Sequence, residues 1–423
     1  MRPKDVRVVT AERSQIELRA VDLDSLLPAD HRARMLWAMV ERLELSAFYE
    51  EIVARGSEPG RPATDPKVLL GLWLYATADG VGSARELARL CRSDAVYQWI
   101  CGGVGVNHHT LSDFRVGHSE KLDELMSQAL GAMMAQGLVT LRRVAHDGMR
   151  VRASAGAASF RRRETLEECV KQARQQVERL KQELADDPGA HTVRERAARQ
   201  RAAEDREAAV KRALDEMALI EKRKEEQRRK SKKGEKPARA STTDPEARVM
   251  KMADGGFRPA YNVQLATDVE SRVIVGVDVC NRGSDVGLAP TMLDEIERRT
   301  HKRPKAYLVD GGFVDLATID RVTEMGITIY GPPMKPARPR PPGSPPKHRD
   351  SDAVASWRLR METEDAKAVY KDRAATAETV NADLRKWRTL DSFNVRGLVK
   401  ARCTALLNAI TYNLLRWQAL APA

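Results

Sequence analysis

The sequence predicts a mixed α/β protein with an all-helical N-terminal part, and three observations carry that reading. Apolar residues recur at helical spacing from about residue 22 to 138, as in Val68, Leu69, Leu72, Trp73 and Ala76. Near Val144 the period changes to strand alternation, and further strand patterns follow Gly255-Gly256 in the order strand, strand, helix, strand, helix, strand. Between the first strand and the rest lies a charged, heptad-patterned segment, residues 161 to 240. The expectation is a five-stranded mixed sheet flanked by helices, interrupted by an inserted coiled-coil-like helical hairpin.

In the helical part, Thr64 or Asp65 is placed to cap a helix with Pro66 in its first turn, because proline lacks the N–H that a first turn leaves unused. Ser83 can cap a short helix from Ala84 to Leu90, and Ala95 to Ile100 reads as a second. A glycine-rich turn, Cys101 to Gly105, then leads into Asn107 to Arg115, a helix-turn-helix in outline. The first strand pattern, Val139, Leu141 and Val144, runs into His146-Asp147-Gly148 and reads as a strand ending at the acid.

The inserted segment shows a seam at Leu166, Val170, Ala173, Val177, Leu180 and Leu184, a break at Asp186-Asp187-Pro188-Gly189, and a second seam at Val210, Ala213, Met217 and Ile220. An antiparallel hairpin follows. It ends in Lys222 to Arg239, where ten of eighteen residues are basic, a stretch read as frayed and suited to phosphates. Tyr261 to Leu265 and Val273 to Val279 alternate about a turn and make a β-hairpin. A helix near Val286 to Arg299, a strand Ala306 to Val309, a helix Leu316 to Met325 and a strand Ile327 to Tyr330 complete the pattern. Residues 331–350 hold eight of the 20 prolines and read as an extended loop. Ala353 to Leu384 reads as one helix, and Gly397 to Trp417 as a last, amphipathic one.

At 423 residues the chain has room for more than one domain at about 150 residues each. Lys and Arg outnumber Asp and Glu by 72 to 60, a net charge of +12, which favours a polyanionic partner such as nucleic acid or an anionic membrane surface. The five cysteines, at 91, 101, 169, 280 and 403, are scattered and form no CxxC pair, which excludes a disulfide framework and points to a reducing cytosol. Cys91, Cys101, His108 and His109 have poor spacing for zinc. The start has no apolar leader core, and the longest apolar stretch, Val68 to Ala78, is too short for a bilayer span.

Asp147 and Asp310 each follow an apolar strand and precede glycine. On neighbouring strands they would bring two carboxylates together. Hard divalent cations prefer carboxylate oxygens, and phosphoryl transfer on two metals needs such ligands close together to hold the ions about 3.5–4 Å apart.

These residues carry a family resemblance. His146-Asp147-Gly148 with Arg150, Thr243 to Arg248 with Met250-Lys251, Pro259 to Gln264, Val309 to Phe313, and Trp357 to Met361 continuing to Tyr370, Arg373 and Glu378 stand in one order along most of the chain. The chain resembles a bacterial insertion-sequence transposase of the DDE superfamily, with an RNase H-like catalytic domain. Residues before 140 are similar to the helical N-terminal domain of such proteins, through Arg61-Pro62, Thr110-Leu111 and Phe114-Arg115. The resemblance implies a helical DNA-binding domain over 1–138 and a catalytic domain over 139–423, interrupted by the 161–240 hairpin and the 331–350 loop.

Carried over residue by residue, the family's catalytic and metal-binding acids fall on Asp147, Asp310 and Glu378. Arg373 and Glu378 are one residue further apart than in many related elements, Arg385 stands where a Lys is usual, and Glu362, Glu364, Asp365 and Asp372 are rival third acids. The resemblance further implies two Mg2+ ions, replaceable by Mn2+, and double-stranded DNA as partner, both element ends and target. Lys251, Arg258, Arg373, Arg385, His109 and Arg115 are the expected DNA contacts. A homodimer on paired ends, a cytoplasmic location at the nucleoid and no membrane insertion are expected. Two other readings stay open: an inactive or domesticated DNA-binding protein, and an RNase H-like nuclease that cuts without joining.

Overall fold

Seven α-helices precede the sheet in the computed structural model, which describes residues 22–55, 62–186, 192–230, 237–333, 348 and 350–421. They are α1 (Arg32–Arg42), α2 (Ser46–Glu50), α3 (Pro66–Ala78), α4 (Ala84–Ser93), α5 (Ala95–Cys101), α6 (His108–Gly117) and α7 (Ser119–Ala135). The caps are local chemistry. Asp65 accepts from Lys67 N at 2.8 Å ahead of Pro66, Ser83 from Glu86 N at 3.4 Å, and Asn107 from Thr110 N at 2.9 Å. Arg61, the hairpin break at 187–191, residues 231–236 of the basic stretch and most of the Pro-rich loop lie outside the described residues.

The sheet is RNase H-like. Its strands are β1 (Arg143–Arg152), β4 (Arg248–Lys251), β5 (Phe257–Asp268), β6 (Ile274–Cys280), β7 (Ala306–Val309) and β8 (Thr328–Tyr330), while the short β2 (Phe160–Arg161) and β3 (Ala240–Ser241) pair separately. β1 is central, antiparallel to β5 and parallel to β7, and β8 is parallel to β7. On the far side of β5 lie both β6 and β4, end to end, so the sheet is five strands wide and β4 extends one edge.

The inserted hairpin is α8 (Arg163–Asp186) and α9 (Val193–Lys230). Leu166 and Val170 pack with Val210, Ala213, Met217 and Ile220, and Val177 and Leu180 with Ala203, so the helices run antiparallel along the expected seams. The end of α9 stays helical to Lys230 rather than fraying from Lys222.

The remaining helices are α10 (Ala289–Thr300), α11 (Leu316–Glu324), α12 (Asp352–Glu362), α13 (Glu364–Trp387) and α14 (Leu398–Leu420). Three expectations change here. β1 does not end at Asp147 but pairs with β5 as far as Arg152, because Gly148 keeps an extended backbone and does not turn. The single helix expected over 353–384 is two, since Thr363 is extended (φ −75°, ψ 148°) and its hydroxyl caps Ala366 N at 3.2 Å. And α14 is not amphipathic: Ala401, Cys403 and an unbroken run from Ala405 to Leu414 are buried. A helix apolar all round belongs inside a protein.

That burial explains how the molecule holds together. α14 packs against β6 on one side and α3, α6 and α7 on the other, and one apolar core runs through both parts. Asn413 is buried yet satisfied: it accepts from Ile274 N at 2.8 Å and donates to Ile274 O at 2.7 Å, covering the sheet edge at the start of β6. Toward the start of α14 lies an ionic hub. Asp123 of α7 accepts from Arg298 and Arg299 of α10 and, at 2.8 Å, from Arg402 of α14, while Glu295 accepts from Arg299 at 2.5 Å and from Arg298 at 3.0 Å. The Arg299 side chain is wholly buried.

Removing one member of such a cluster leaves a charge unpaired in a poor solvent, which costs about 3–5 kcal/mol. Asp123→Ala should lower the stability of the full chain by about that amount in urea denaturation, while Asp30→Ala, an exposed position, should change it by under about 0.5 kcal/mol. Equal stabilities for the two variants would remove the hub from the account of how the helical part is held to the sheet.

Candidate active site

Parallel pairing of β1 and β7 sets His146 opposite Val309, so the next residues, Asp147 and Asp310, leave adjacent strands side by side. Asp310 lies just beyond β7, and its Oδ1 accepts from Gly312 N at 2.8 Å, which fixes the turn. α13 crosses this point of the sheet. Ala377 packs on Ala145 and Leu308, leaving room for its longer neighbours to reach the acids.

Each oxygen of Asp147 is engaged. Oδ1 accepts from Gly148 N at 3.0 Å and Arg373 Nη2 at 3.2 Å, and Oδ2 accepts from Asn381 Nδ2 at 2.9 Å. The same Arg373 Nη2 stands 3.8 Å from Asp310 Oδ2, so one guanidinium nitrogen serves two carboxylates. Arg373 is 12% exposed and Asp147 17%, whereas Asp310 is 39% exposed. Burial raises the Asp147 carboxyl above its ordinary range; Arg373 pulls it down, and Asp310 pushes it up again. His146, wholly buried against the rings of Tyr307 and Phe313, is pushed down to about 3 by burial and is therefore a neutral packing group.

A fourth element of the site was not legible in the sequence. Asp285, in the loop between β6 and α10, is buried and accepts from Arg150 Nη2 at 2.8 Å, Asn262 Nδ2 at 2.7 Å and Gln264 Nε2 at 2.9 Å. A β-carbon at Gly148 would lie 2.4 Å from Asp285 Oδ1, so the glycine after Asp147 serves close approach of this carboxylate to the catalytic strand. The only hint was Arg150, Asn262 and Gln264 at alternate positions of paired strands, a polar row needing a buried acceptor.

The other expected residues divide. Arg373 reaches both aspartates, and Arg385 is half-buried and donates to Arg150 O at 3.3 Å. Lys251 is exposed at the end of β4, and His109 is exposed on α6. Arg258 is engaged by Asp254 at 2.7 Å. Arg115, expected on DNA, is instead buried: it donates to Gly82 O at 2.7 Å and lies 4.6 Å from the Trp73 ring, a structural role in the helical part. Tyr370 is half-buried, its hydroxyl pushed up by burial. Glu378 is exposed, and the structure does not gather it with the aspartates; Asn381 holds the position on Asp147.

Among the described residues no group of three His, Cys, Asp or Glu side chains is arranged around one metal position. Two carboxylates nonetheless fit a cation, because they already converge on one cationic nitrogen and supply the hard oxygen donors that Mg2+ prefers. Among those residues, too, no helix is long and apolar enough to cross a membrane.

Two family models match the chain: a transposase DDE domain over residues 222–414 and a transposase domain of the DUF772 type over residues 21–117. No curated protein and no solved structure matches it. The first model takes in Asp310, Arg373 and Glu378, and the second covers α1 to α6, so the helical part and the sheet are claimed independently by the same kind of protein. With the RNase H-like sheet setting Asp147, which lies between the two matches, beside Asp310, the chain belongs to the DDE transposases of insertion sequences.

Proposed function

We propose that this transposase binds the terminal inverted repeats of its element and catalyses metal-dependent phosphodiester cleavage and strand transfer, with Asp147, Asp310 and Glu378 as its catalytic and metal-binding acids. The observation that carries the reading is the convergence of Asp147 and Asp310 on one cation, Arg373 Nη2, at the point where β1 and β7 emerge side by side. Two carboxylates held side by side and partly out of water are costly and add nothing to packing, which supports a functional role.

Asp147 and Asp310 would hold divalent cations, Mg2+ or Mn2+, with Glu378 of α13 as the third ligand. Bound there, such ions activate the attacking oxygen and stabilise the leaving 3′ oxygen. The chain's own residues do the positioning. Gly148 N orients Asp147, Gly312 N orients Asp310, and Arg385 braces β1 at the Arg150 carbonyl. Lys251 and His109 are exposed toward DNA phosphates, and Arg373 and Arg258 reach them by exchanging their carboxylate partners, since such side chains register a duplex without reading its bases. We assign DNA binding to residues 1–138 and catalysis to 139–423, with the hairpin and the Pro-rich loop as insertions, and read the working form as a cytoplasmic homodimer on two paired ends.

The test uses duplexes carrying the inverted repeats that flank the gene. Asp147→Asn and Asp310→Asn keep size and lose a metal-ligand charge; each should cut cleavage by about a thousandfold or more, the equivalent of several kcal/mol, while end binding persists. Retained cleavage in either variant would overturn the assignment. Glu378→Gln should match them, and if it cleaves normally while a variant at Glu362, Glu364, Asp365 or Asp372 does not, the third acid is that residue. Joining of the cleaved 3′ end to a second duplex separates a transposase from a simple nuclease.

Gly148→Ala tests the geometry without replacing a carboxylate. The added methyl meets Asp285 Oδ1, so the variant should lose about 1–3 kcal/mol of stability in urea denaturation and cleave more slowly. Unchanged stability and unchanged cleavage would show that Asp285 has no part in holding the strand.

A further inference from the structure

A second concentration of positive charge lies away from the aspartates. A cleft of about 540 Å³ opens between the end of α9 and the loop that joins β6 to α10. Arg223 and Lys224 line it from the helix, Arg282 from the loop and Arg248 from β4, against one acid, Glu226. Arg248 is partnered by Glu216, and Arg223 donates to Asn281 Oδ1 at 3.3 Å, which holds its guanidinium at the mouth. Arg282 is exposed and makes no ion pair among the described residues.

The loop wall is tied to the catalytic strand. Asp285 bonds Arg150, Asn262 and Gln264, and Arg150 Nη2 also donates to Gly283 O at 3.0 Å. Arg150 stands on β1 three residues beyond Asp147, so the loop wall is bonded to the strand that bears the first acid, on the sheet face opposite its carboxylate. A cationic cleft held rigidly against that strand has the charge to seat a sugar-phosphate backbone.

We infer that this cleft binds the sugar-phosphate backbone of duplex DNA outside the site of the paired aspartates, with Arg223 and Arg282 as its two phosphate contacts. The inserted hairpin thereby becomes one wall of a DNA-binding cleft, and the 281–286 loop the other. The inference rests on the proposed action on DNA ends and adds to it a site that neither paired aspartate touches. Sequence-independent contact is its expected character, because contacts to phosphates carry no base information.

The experiment measures binding of the full chain to a mixed-sequence duplex of about 40 base pairs as a function of NaCl concentration. Each neutralised phosphate contributes about 0.9 to the slope of log K against log salt, so Arg223→Ala/Arg282→Ala should lower the slope by about 1.8 and weaken binding at least about tenfold near 0.1 M salt. Arg223→Lys/Arg282→Lys, which keeps both charges, should restore most of the slope. The thermal midpoint of the alanine variant should match the wild type, as both side chains are exposed. An unchanged slope in a folded alanine variant overturns the cleft assignment while leaving DNA action intact. Failure of the wild type itself to bind any duplex overturns the functional reading on which the assignment rests.

Discussion

Two carboxylates that must stand together, partly out of water, are the constraint around which this molecule is arranged. Side by side on parallel strands, Asp147 and Asp310 repel one another and lose solvation, and the protein offsets both with a single guanidinium delivered from α13. Arg373 can reach them only because Ala377, one turn along, is small enough to let the helix lie close on Ala145 and Leu308. Asn381, a further turn on, takes the remaining oxygen of Asp147. The helix therefore presents a row of side chains four residues apart to the sheet, and each has a distinct duty there: charge, close packing, hydrogen bond, and finally Arg385 on the Arg150 carbonyl.

Such an arrangement demands a rigid frame, which explains why the helical part and the sheet share one core. α14, the last helix in the chain, sits between them and is buried nearly all round; it would expose a wide apolar surface on either piece alone. The Asp123 hub adds direction to that packing. Apolar contact is tolerant of sliding, whereas Arg298, Arg299 and Arg402 meeting Asp123 and Glu295 define one relative placement of α7, α10 and α14. Since α10 follows the loop that carries Asp285, the same hub steadies the acceptor that packs against Gly148 beside Asp147.

The parts of this that the sequence disclosed are those encoded by local period. The β5 and β6 alternation, the heptad seams of the hairpin, the caps at Asp65, Ser83 and Asn107, and the short strand before Asp310 all follow from residues close in the chain. What escaped depends on contacts between distant residues. Asp285 lies in a loop with no periodicity, and its partners come from β1 and β5, which meet it only once the sheet has formed. Arg115 was expected on DNA because it ends the helix-turn-helix outline, but Trp73 and the Gly82 carbonyl, supplied from α3 and the loop after it, enclose it. Gly148 resembled a turn residue for the same reason: a glycine needed for close approach and a glycine needed for a turn are identical in sequence.

Glu378 poses the sharpest geometric question, and helical periodicity answers it. Successive residues of a helix are rotated by about 100°, so with Ala377 against the sheet Glu378 points along the helix flank, toward solvent. A register that turned Glu378 onto Asp147 would carry Asn381, and with it Arg373, away from that carboxylate, because all three ride on one rigid helix. Guanidinium and third carboxylate are thus mutually exclusive neighbours of Asp147. Their charges make the exclusion meaningful: two acids with no other counter-ion favour the arginine, and a third acid can join them only when positive charge arrives from elsewhere. The described arrangement, with Arg373 between the aspartates and Glu378 outside, is the one that electrostatics selects for the protein by itself.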